Sequence, residues 1–184
     1  MKRSAGILAY RWRGGEPELF LVHPGGPFWK NKDDGAWSIP KGEINPEEDV
    51  LQAARREFEE ETGQTVDGDF TPLDPVKIAS GKVIEAWAIE HDLDASAITS
   101  NTFEIEWPPH SGKKQAFPEV DRAAWFPGPL ALQKVTKGQL PLLTQLLERL
   151  GVPIPPVPPS AVPTRPSARS GTAARRTAGS TRRR

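Results

Sequence analysis

The chain has 184 residues, with 24 basic and 24 acidic side chains and no cysteine. The absence of cysteine excludes disulfides, thiolate metal sites and cysteine nucleophiles, and it is typical of a cytoplasmic protein. No apolar run reaches the roughly 18 residues that a membrane helix needs, and the apolar start of the chain is too short to predict a signal peptide.

The neutral total hides two regions of opposite charge. Residues 151–184 contain seven arginines and no acidic residue, whereas residues 1–150 carry a net charge of −7. We therefore expect one globular domain over residues 1–150 and a disordered tail, rich in proline and arginine, over residues 151–184. Such a tail can attract nucleic acid electrostatically, but because it lacks aromatic residues we expect nonspecific contact at most. The sequence indicates no oligomeric state.

The first predicted elements are two strands and a loop. Apolar runs at residues 4–12 and 18–23 flank a Gly14-Gly15 turn and predict a β-hairpin. Residues 24–35 have the composition of a loop. This loop carries two aromatic and two basic side chains, which are Phe28, Trp29, Lys30 and Lys32.

A helix with clear start and stop signals is predicted over residues 46–62. Asn45 is the expected N-cap and Pro46 the first helical residue, while Glu48 stands where a capping box would place it. Gly63 is expected to end the helix in the left-handed conformation.

The rest of the domain predicts shorter elements. Four further strands are expected, at residues 73–79, 82–91, 101–107 and 119–126. A polar loop at residues 108–118 carries Lys113 and Lys114. Helices are expected at residues 129–136 and 139–150, the second with a stripe of leucines. This order of elements predicts an α+β domain built as an α/β/α sandwich.

The predicted central helix holds the densest group of carboxylates in the chain. At about 100° per residue, Glu57, Glu60 and Glu61 share an arc of about 100° beside the apolar residues of the helix. Glu48 and Glu59 fall on the opposite side and should be solvated. Clustered anions beside an apolar surface are costly unless a cation compensates them. Mg²⁺, with Mn²⁺ as an alternative, prefers carboxylate oxygens and bridges phosphates, so the cluster predicts a phosphorylated substrate.

The competing interpretation of this helix is structural. Acidic helices that also carry arginine usually form solvated faces, stabilised by charge pairs three or four residues apart. Three features favour a metal site here: the carboxylates share the buried side, a glycine-containing turn precedes the helix, and the spacing of the whole block is specific.

That spacing resembles the signature of the Nudix hydrolases. All fixed glycine, glutamate and arginine positions of the signature are present, namely Gly42, Glu48, Arg56, Glu57, Glu60, Glu61 and Gly63. The block covers 23 residues and ends at Gln64, where the family usually has an aliphatic residue. Phe58 also departs from the pattern, because that position is often leucine.

The resemblance implies a fold and a set of roles. The fold is an α/β/α sandwich with a mixed β-sheet and a loop that leads into the signature helix. Glu57 and Glu61 are implied as the main metal ligands, with Glu60 as a further ligand through water or a second ion. The carbonyl of Gly42 would complete the metal shell, and Arg56 would orient the carboxylates.

Glutamates in two further roles, one structural and one as general base, complete the implied site. Glu48 would help to fix the geometry between loop and helix. The general base varies in this family, and Glu119 is our candidate for a base outside the signature, with Glu104 and Glu106 as weaker ones. The alternative for Glu119 is an exposed carboxylate at the end of a strand.

The implied reaction is hydrolysis of a pyrophosphate bond in a nucleoside diphosphate linked to another moiety. Lys41 lies in an Ile-Pro-Lys-Gly sequence that resembles dinucleoside polyphosphate and diphosphoinositol polyphosphate hydrolases. The candidates for substrate contact are Lys41, Lys30, Lys32, Lys113, Lys114 and Trp29, although each lysine alone is more simply a solvated surface residue. Diphosphoinositol polyphosphates, nucleotide sugars and a noncatalytic nucleotide- or RNA-binding module remain as alternatives.

Overall fold

A computed structural model describes residues 1–155 of the chain. The strands in this part are β1 (Arg3–Arg13), β2 (Glu16–Pro24), β3 (Lys41–Glu43), β4 (Thr71–Pro72), β5 (Val76–Lys77), β6 (Val83–Glu90), β7 (Thr102–Glu106), β8 (Lys114–Pro118) and β9 (Val120–Pro127). The helices are α1 (Val50–Thr62), α2 (Gly128–Lys134) and α3 (Leu140–Arg149), the last preceded by a 3-10 turn. None of these helices is long and apolar enough to cross a membrane.

Seven strands form one mixed β-sheet, as predicted. Its order is β4-β6-β1-β2-β9, with β3 beside β1 and β5 beside β6. β1 and β6 are parallel, while the other pairs of this sheet are antiparallel. β7 and β8 form a separate two-stranded hairpin. β3 lies beside the first residues of β1, where Ala5 pairs with Gly42.

Helices cover both faces of the sheet, so the predicted α/β/α sandwich is confirmed. On one face, the buried side of α1, centred on Phe58, packs against sheet residues such as Phe20. On the other face, leucines of α3 such as Leu143 and Leu147 pack against Leu8 and Leu19. Burial of these two apolar surfaces is the main force that holds α1 against the sheet and so fixes the position of its carboxylates.

The signature helix begins later than predicted. Asp49 is its N-cap, because the Asp49 side chain accepts a hydrogen bond from the backbone of Gln52 at 3.1 Å. The Asn45 N–H does donate to Oε2 of Glu48 at 3.0 Å, as a capping box requires, but the Glu48 N–H donates to the backbone carbonyl of Asn45 at 3.1 Å, so the two residues form a turn before the helix. Gly63 ends the helix as predicted, with a left-handed φ of 71°.

Two other predicted segments also need correction. Half of the predicted loop 108–118 is strand β8, which pairs with β7 from Glu106 opposite Lys114 to Thr102 opposite Pro118. The predicted strand 73–79 is reduced to β5, Val76–Lys77, while β4 lies just before the predicted segment. Pro75 lacks the N–H that a continuous ladder would need.

The boundary between domain and tail stays a prediction. The first residues after the predicted boundary at 150 still contact the domain, since Val152 and Ile154 pack against the α3 side of the core. The backbone N–H of Val152 also donates to the carbonyl of Leu147 at 2.9 Å. Residues 156–184, and with them most of the predicted tail, lie outside the described part of the chain.

Candidate active site

The centre of the site is the contact between Gly42 on β3 and Glu57 on α1. A Cβ atom added to Gly42 would lie only 1.9 Å from Oε2 of Glu57. The Glu57 carboxylate therefore occupies the space that any other residue at position 42 would fill. This close approach explains why glycine is needed at this position of β3, where the strand contacts the helix.

Glu61 lies one helical turn from Glu57 and faces the same strand. Its Oε2 accepts a hydrogen bond from the backbone N–H of Lys41 at 3.2 Å. Burial raises the pKa of Glu61 to about 8, against the opposing effect of the Lys41 charge. Burial also raises the pKa of Glu57, while its hydrogen bond to Arg56 works in the opposite direction. Both carboxylates are thus placed where a nearby cation would favour their ionised form.

Arg56 connects three carboxylates. Its Nη1 donates to Glu57 at 2.7 Å and to Glu60 at 3.2 Å. Its Nε and Nη2 donate to the two carboxylate oxygens of Glu48 at 2.9 and 3.0 Å. A fork of this kind fixes both partners, and the hydrogen bond to Arg56 is the main reason that the pKa of Glu48 falls to about 2. Nη2 also donates to the carbonyl of Glu43, which ties the helix to β3.

These contacts decide between the two expectations for Glu48. The helical wheel predicted a solvated side chain, which is wrong, because Glu48 lies in the turn before the helix and the wheel angle does not apply to it. The role implied by the resemblance, in which Glu48 helps to fix loop against helix, agrees with its paired oxygens on Arg56.

Glu119 lies next to this cluster although it is distant in sequence. Its N–H donates to the carbonyl of Asn101 at 2.8 Å, and its own carbonyl accepts from the N–H of Gly25 at 2.9 Å. Its charge contributes to the raised pKa values of both Glu57 and Glu61. The structure thus brings Glu119 to the carboxylates. In contrast, Glu104 and Glu106 are exposed along β7, and Glu106 pairs with Lys114 at its outer end.

The donor set suits a hard divalent cation that keeps several water ligands. Glu57 and Glu61 converge on β3, whereas Glu60 is directed to Arg56. Within residues 1–155, no three acidic or histidine side chains converge as a complete ligand set. Two carboxylates and a backbone segment leave room for the water ligands that Mg²⁺ usually keeps, so these residues fit the ion that the sequence predicts.

The loop at residues 24–35 stands beside this site and is firmly anchored. Buried His23 contacts Asp121 through Nδ1 at 2.9 Å and the carbonyl of Lys32 through Nε2 at 2.7 Å. The indole N–H of Trp37 donates to Asp33 at 2.8 Å, and the Trp37 ring is buried against His23 and a phenylalanine of β9. Trp37 is therefore a packing residue, and the base of the loop is held in one arrangement.

The predicted substrate residues fall into two groups. Lys41, Trp29, Lys30 and Lys32 lie on β3 and the anchored loop, and the Lys32 ammonium stands 4.8 Å from the centre of the Trp29 ring. Lys113 and Lys114 lie at the outer end of the β7–β8 hairpin. Lys114 and Glu119 are five positions apart along extended chain, a distance of about 17 Å. The structure does not bring this second pair to the carboxylates.

Sequence reasoning did not find the residues that join hairpin and loop. The Trp107 ring meets the ring of Phe28 on the loop, with centroids 5.5 Å apart. Phe103 lies against Gly26, where an added Cβ would be 3.0 Å from the ring. The alternating pattern of residues 101–107 indicated a half-buried strand, but it held no signal for which surface the strand would cover.

Known proteins with a similar fold include several solved structures. An Ap4A hydrolase from C. elegans, solved as a binary complex, is 23% identical over 82% of this chain and 98% of its own, with a TM-score of 0.56. The NUDIX domain of NrtR from Shewanella oneidensis, solved with ADP ribose, is 20% identical over 80% and 87% of the two chains, with a TM-score of 0.57. These likenesses establish the fold.

Comparison by sequence gives one curated relative and one family. The relative is an octanoyltransferase from Myxococcus xanthus, 28% identical over 133 residues, or 72% of this chain and 33% of that protein. The chain thus spans about one third of the length of the curated relative that it matches. The family model described as NUDIX domain matches residues 2–146. The chain therefore belongs to the NUDIX domain family, whose hydrolases cleave pyrophosphate bonds and generally use divalent metal cations, and the predicted family is confirmed.

Proposed function

We propose that this protein is a Mg²⁺-dependent hydrolase that cleaves a pyrophosphate bond in nucleoside or dinucleoside polyphosphates. The observation that carries the proposal is the pair Glu57 and Glu61, which converge on β3 with raised pKa values. A fold that needs only structural glutamates gains nothing from burying two of them side by side, because each carries a desolvation cost. A cation bound between them removes that cost.

Glu57, Glu61 and the carbonyl of Gly42 would hold the cation, and Glu60 would contribute through water or a second ion. When bound, Mg²⁺ neutralises charge on the phosphate oxygens and stabilises the leaving group. Arg56 keeps the Glu57 carboxylate in place through the 2.7 Å hydrogen bond, and Glu48 keeps Arg56 in place.

The remaining steps belong to side chains around this pair. The charge of Glu119 acts on both Glu57 and Glu61, and we assign its carboxylate as the base that would accept the proton of the water that attacks phosphorus. Lys41 follows Pro40 into β3, and its ammonium places a positive charge beside Glu61 that can also hold a substrate phosphate. The backbone contacts of Glu119 with Asn101 and Gly25 fix this base relative to the helix and the loop.

The substrate class follows from the surroundings of the site. Nucleoside and dinucleoside polyphosphates supply the pyrophosphate bond, and the exposed lysines at 30 and 32 suit a chain of phosphates. An Ap4A hydrolase and an ADP-ribose complex among the structures with this fold support a nucleotide ligand. Diphosphoinositol polyphosphates and nucleotide sugars are the competing substrates. A noncatalytic binding module is less favoured, because every carboxylate of the signature is present.

The test is a substrate panel with the full chain and Mg²⁺. Dinucleoside polyphosphates, nucleoside triphosphates, ADP-ribose, a nucleotide sugar and a diphosphoinositol polyphosphate are each incubated with the protein, and the products are separated by ion-exchange chromatography. We expect turnover of at least one nucleotide, complete loss with EDTA and recovery with Mg²⁺ or Mn²⁺. Turnover of the inositol compound alone would show that the substrate is a diphosphoinositol polyphosphate and not a nucleotide. If no compound is turned over, the proposed hydrolase activity is refuted.

A further inference from the structure

Two neighbouring aromatic side chains are exposed at the tip of the anchored loop. Phe28 is 63% exposed and Trp29 is 36% exposed. In the rest of residues 1–155, the large apolar side chains exposed to this degree are Met1, Trp12 and Leu130, which lie on other elements. Two such rings in succession on a loop with a rigid base are costly for solubility, which indicates a ligand that covers them.

The hairpin of β7 and β8 presents further rings to the same loop. Phe103 and Phe117 face each other across the hairpin, with ring centroids 6.2 Å apart. Trp107 meets Phe28 edge to face at 5.5 Å. We refer to Phe28, Trp29, Phe103, Trp107 and Phe117 as the aromatic patch. All five rings are exposed or half-buried, so the patch is not part of either core.

The patch rises directly from the carboxylate site. The base of the hairpin is tied to α1, because the N–H of Asn101 donates to the carbonyl of Glu60 at 2.9 Å. The bases of hairpin and loop meet at Glu119, which follows β8 and accepts a hydrogen bond from Gly25. A ligand with its phosphates at the carboxylates therefore extends naturally along the loop or the hairpin.

Charge on the loop matches a ligand that carries both a flat ring and phosphate. Lys32 holds its ammonium 4.8 Å from the centre of the Trp29 ring, and Lys30 lies between them in sequence. Aromatic rings stack on nucleobases regardless of base identity, and neighbouring cations contact the backbone phosphates. An inositol ring has hydroxyl and phosphate groups on all sides and offers no flat face to stack.

We propose that the aromatic patch binds the nucleobase of the substrate by stacking on Phe28 and Trp29, so that this site selects nucleotides over diphosphoinositol polyphosphates. The inference rests on the proposed hydrolase but deepens it, because it states which residues recognise the part of the substrate that does not react. Phe103, Trp107 and Phe117 position the loop ring by packing beside it, and they are not assigned direct contact.

The experiment compares a nucleotide substrate with an abasic analogue that has hydrogen in place of the base. In the double variant Phe28→Ala/Trp29→Ala, we expect KM for the nucleotide to rise roughly 10-fold or more, with kcat within about 2-fold. KM for the abasic analogue should stay unchanged. The leucine variants Phe28→Leu and Trp29→Leu keep apolar contact without a π face and should show most of the same loss. Trp12→Ala, which removes an exposed ring from the end of β1, should change neither KM.

Several results would overturn the proposal. An equal KM for the nucleotide in wild type and double variant would show that the patch does not touch the base. An equal loss for the abasic analogue would assign the rings a structural role only. A dimeric wild type that becomes monomeric in Phe28→Ala, measured by analytical ultracentrifugation, would assign the patch to contact between two copies.

Failure of the hydrolase can be separated from failure of this inference by a binding measurement. The dissociation constant of the nucleotide and of the abasic analogue is measured calorimetrically with Mg²⁺, in wild type and in the double variant. If no compound is turned over but the base still adds affinity that the double variant loses, the enzyme proposal fails while the patch stands. If turnover is normal and the base adds no affinity, the enzyme proposal stands while the proposed role of the patch fails.

Discussion

The carboxylate site and the aromatic patch are built in opposite ways. The pair Glu57 and Glu61, with Gly42 against it, spans about 20 positions on one strand and one helix that pack firmly on the sheet, and Glu119 alone joins it from a distant segment. The patch joins a loop and a hairpin that are separated by about 80 positions, as in the contact between Phe28 and Trp107. The first arrangement is rigid and encoded locally, while the second depends on two segments that reach out from the sheet.

The two regions also differ in what they cost the fold. Burial penalises the ionised forms of Glu57 and Glu61, so the carboxylate site opposes folding until a cation arrives. The patch exposes apolar rings but strains no buried charge. This difference predicts that the loop and the hairpin can change in sequence while the carboxylates stay in place. The reaction centre would then be fixed, and the recognition surface could vary separately.

Glu61→Gln gives the largest expected effect, since it removes a ligand from the costly region. We expect turnover to fall by roughly 10³-fold, because several kcal/mol of stabilisation from the cation are lost. In EDTA, the variant should unfold at a higher temperature than wild type at pH 9, with little difference at pH 4. The measurements are steady-state kinetics and thermal unfolding monitored by circular dichroism.

The sign of this pH effect follows from the raised pKa of Glu61. The folded protein holds Glu61 protonated up to about pH 8, above the ordinary value of 4.5, so the stability that the protonated form contributes is full below pH 4.5 and is lost as pH rises through 8. Glutamine cannot ionise, so the Glu61→Gln variant does not lose stability in this way as pH rises. Glu59→Gln, on the exposed side of the same helix, is the control and should leave turnover unchanged. Identical pH dependence in Glu61→Gln and wild type would show that the site carries no such cost.

Gly42→Ala tests whether the carboxylate site is as rigid as its contacts indicate. The added Cβ would lie 1.9 Å from Oε2 of Glu57, so either the carboxylate or β3 has to move. A displacement of about 1 Å at a catalytic group costs roughly 10²-fold in rate, and we expect kcat to fall by at least that amount. Gly81→Ala is the control for strain away from the site, because its Cβ meets nothing within 4 Å but its φ of 83° disfavours alanine. It should lower the unfolding temperature and leave kcat unchanged. Retained activity in Gly42→Ala would mean that β3 yields easily and that the two regions do not differ in rigidity.

Arg56→Lys keeps the charge of the carboxylate site but removes the fork. Lysine can serve one carboxylate where Arg56 serves Glu48, Glu57 and Glu60, so we expect turnover to fall by roughly 10- to 100-fold. Arg55→Lys, one position earlier and outside this network, is the control. A rate equal to that of wild type would show that charge alone, without geometry, organises the carboxylates.

The same variant has a pH signature in acid. The pKa of Glu48 is lowered to about 2 by its hydrogen bond to Arg56, so the pair stabilises the fold above pH 4.5 and loses this effect as pH falls toward 2. Without the fork, the variant lacks this stabilisation, so at any pH between about 2 and 4.5 it is less stable than wild type. We expect acid unfolding, followed by tryptophan fluorescence, to begin at a higher pH in Arg56→Lys than in wild type.

The contrast between the regions also explains what the sequence could predict. The signature from Gly42 to Gly63 was interpretable because helical periodicity and short spacing determine its contacts. Its two errors, the early start of the helix and the solvated Glu48, arose because Asn45 and Asp49 are both good N-caps and only the packed structure selects Asp49. Residues 114–118 were predicted as loop because they are polar, and they become strand through pairing with β7. Pairing between distant segments leaves no local pattern.

Lys113→Ala/Lys114→Ala gives the smallest expected effect and tests the outer limit of the recognition region. These lysines lie about 17 Å along the chain from Glu119, beyond the screening length of about 10 Å at 0.1 M salt. We therefore expect KM to rise by no more than about 2-fold at 0.1 M salt, and this difference to vanish at 1 M salt, where the screening length is about 3 Å. Lys137→Ala, exposed on the 3-10 turn before α3, is the control for net charge. A loss that is larger and persists at 1 M salt would require direct contact between the hairpin tip and the substrate. Because the N–H of Trp107 donates to the carbonyl of Lys113 and the Trp107 ring contacts Phe28, such contact would extend the recognition region from the aromatic patch to the hairpin tip.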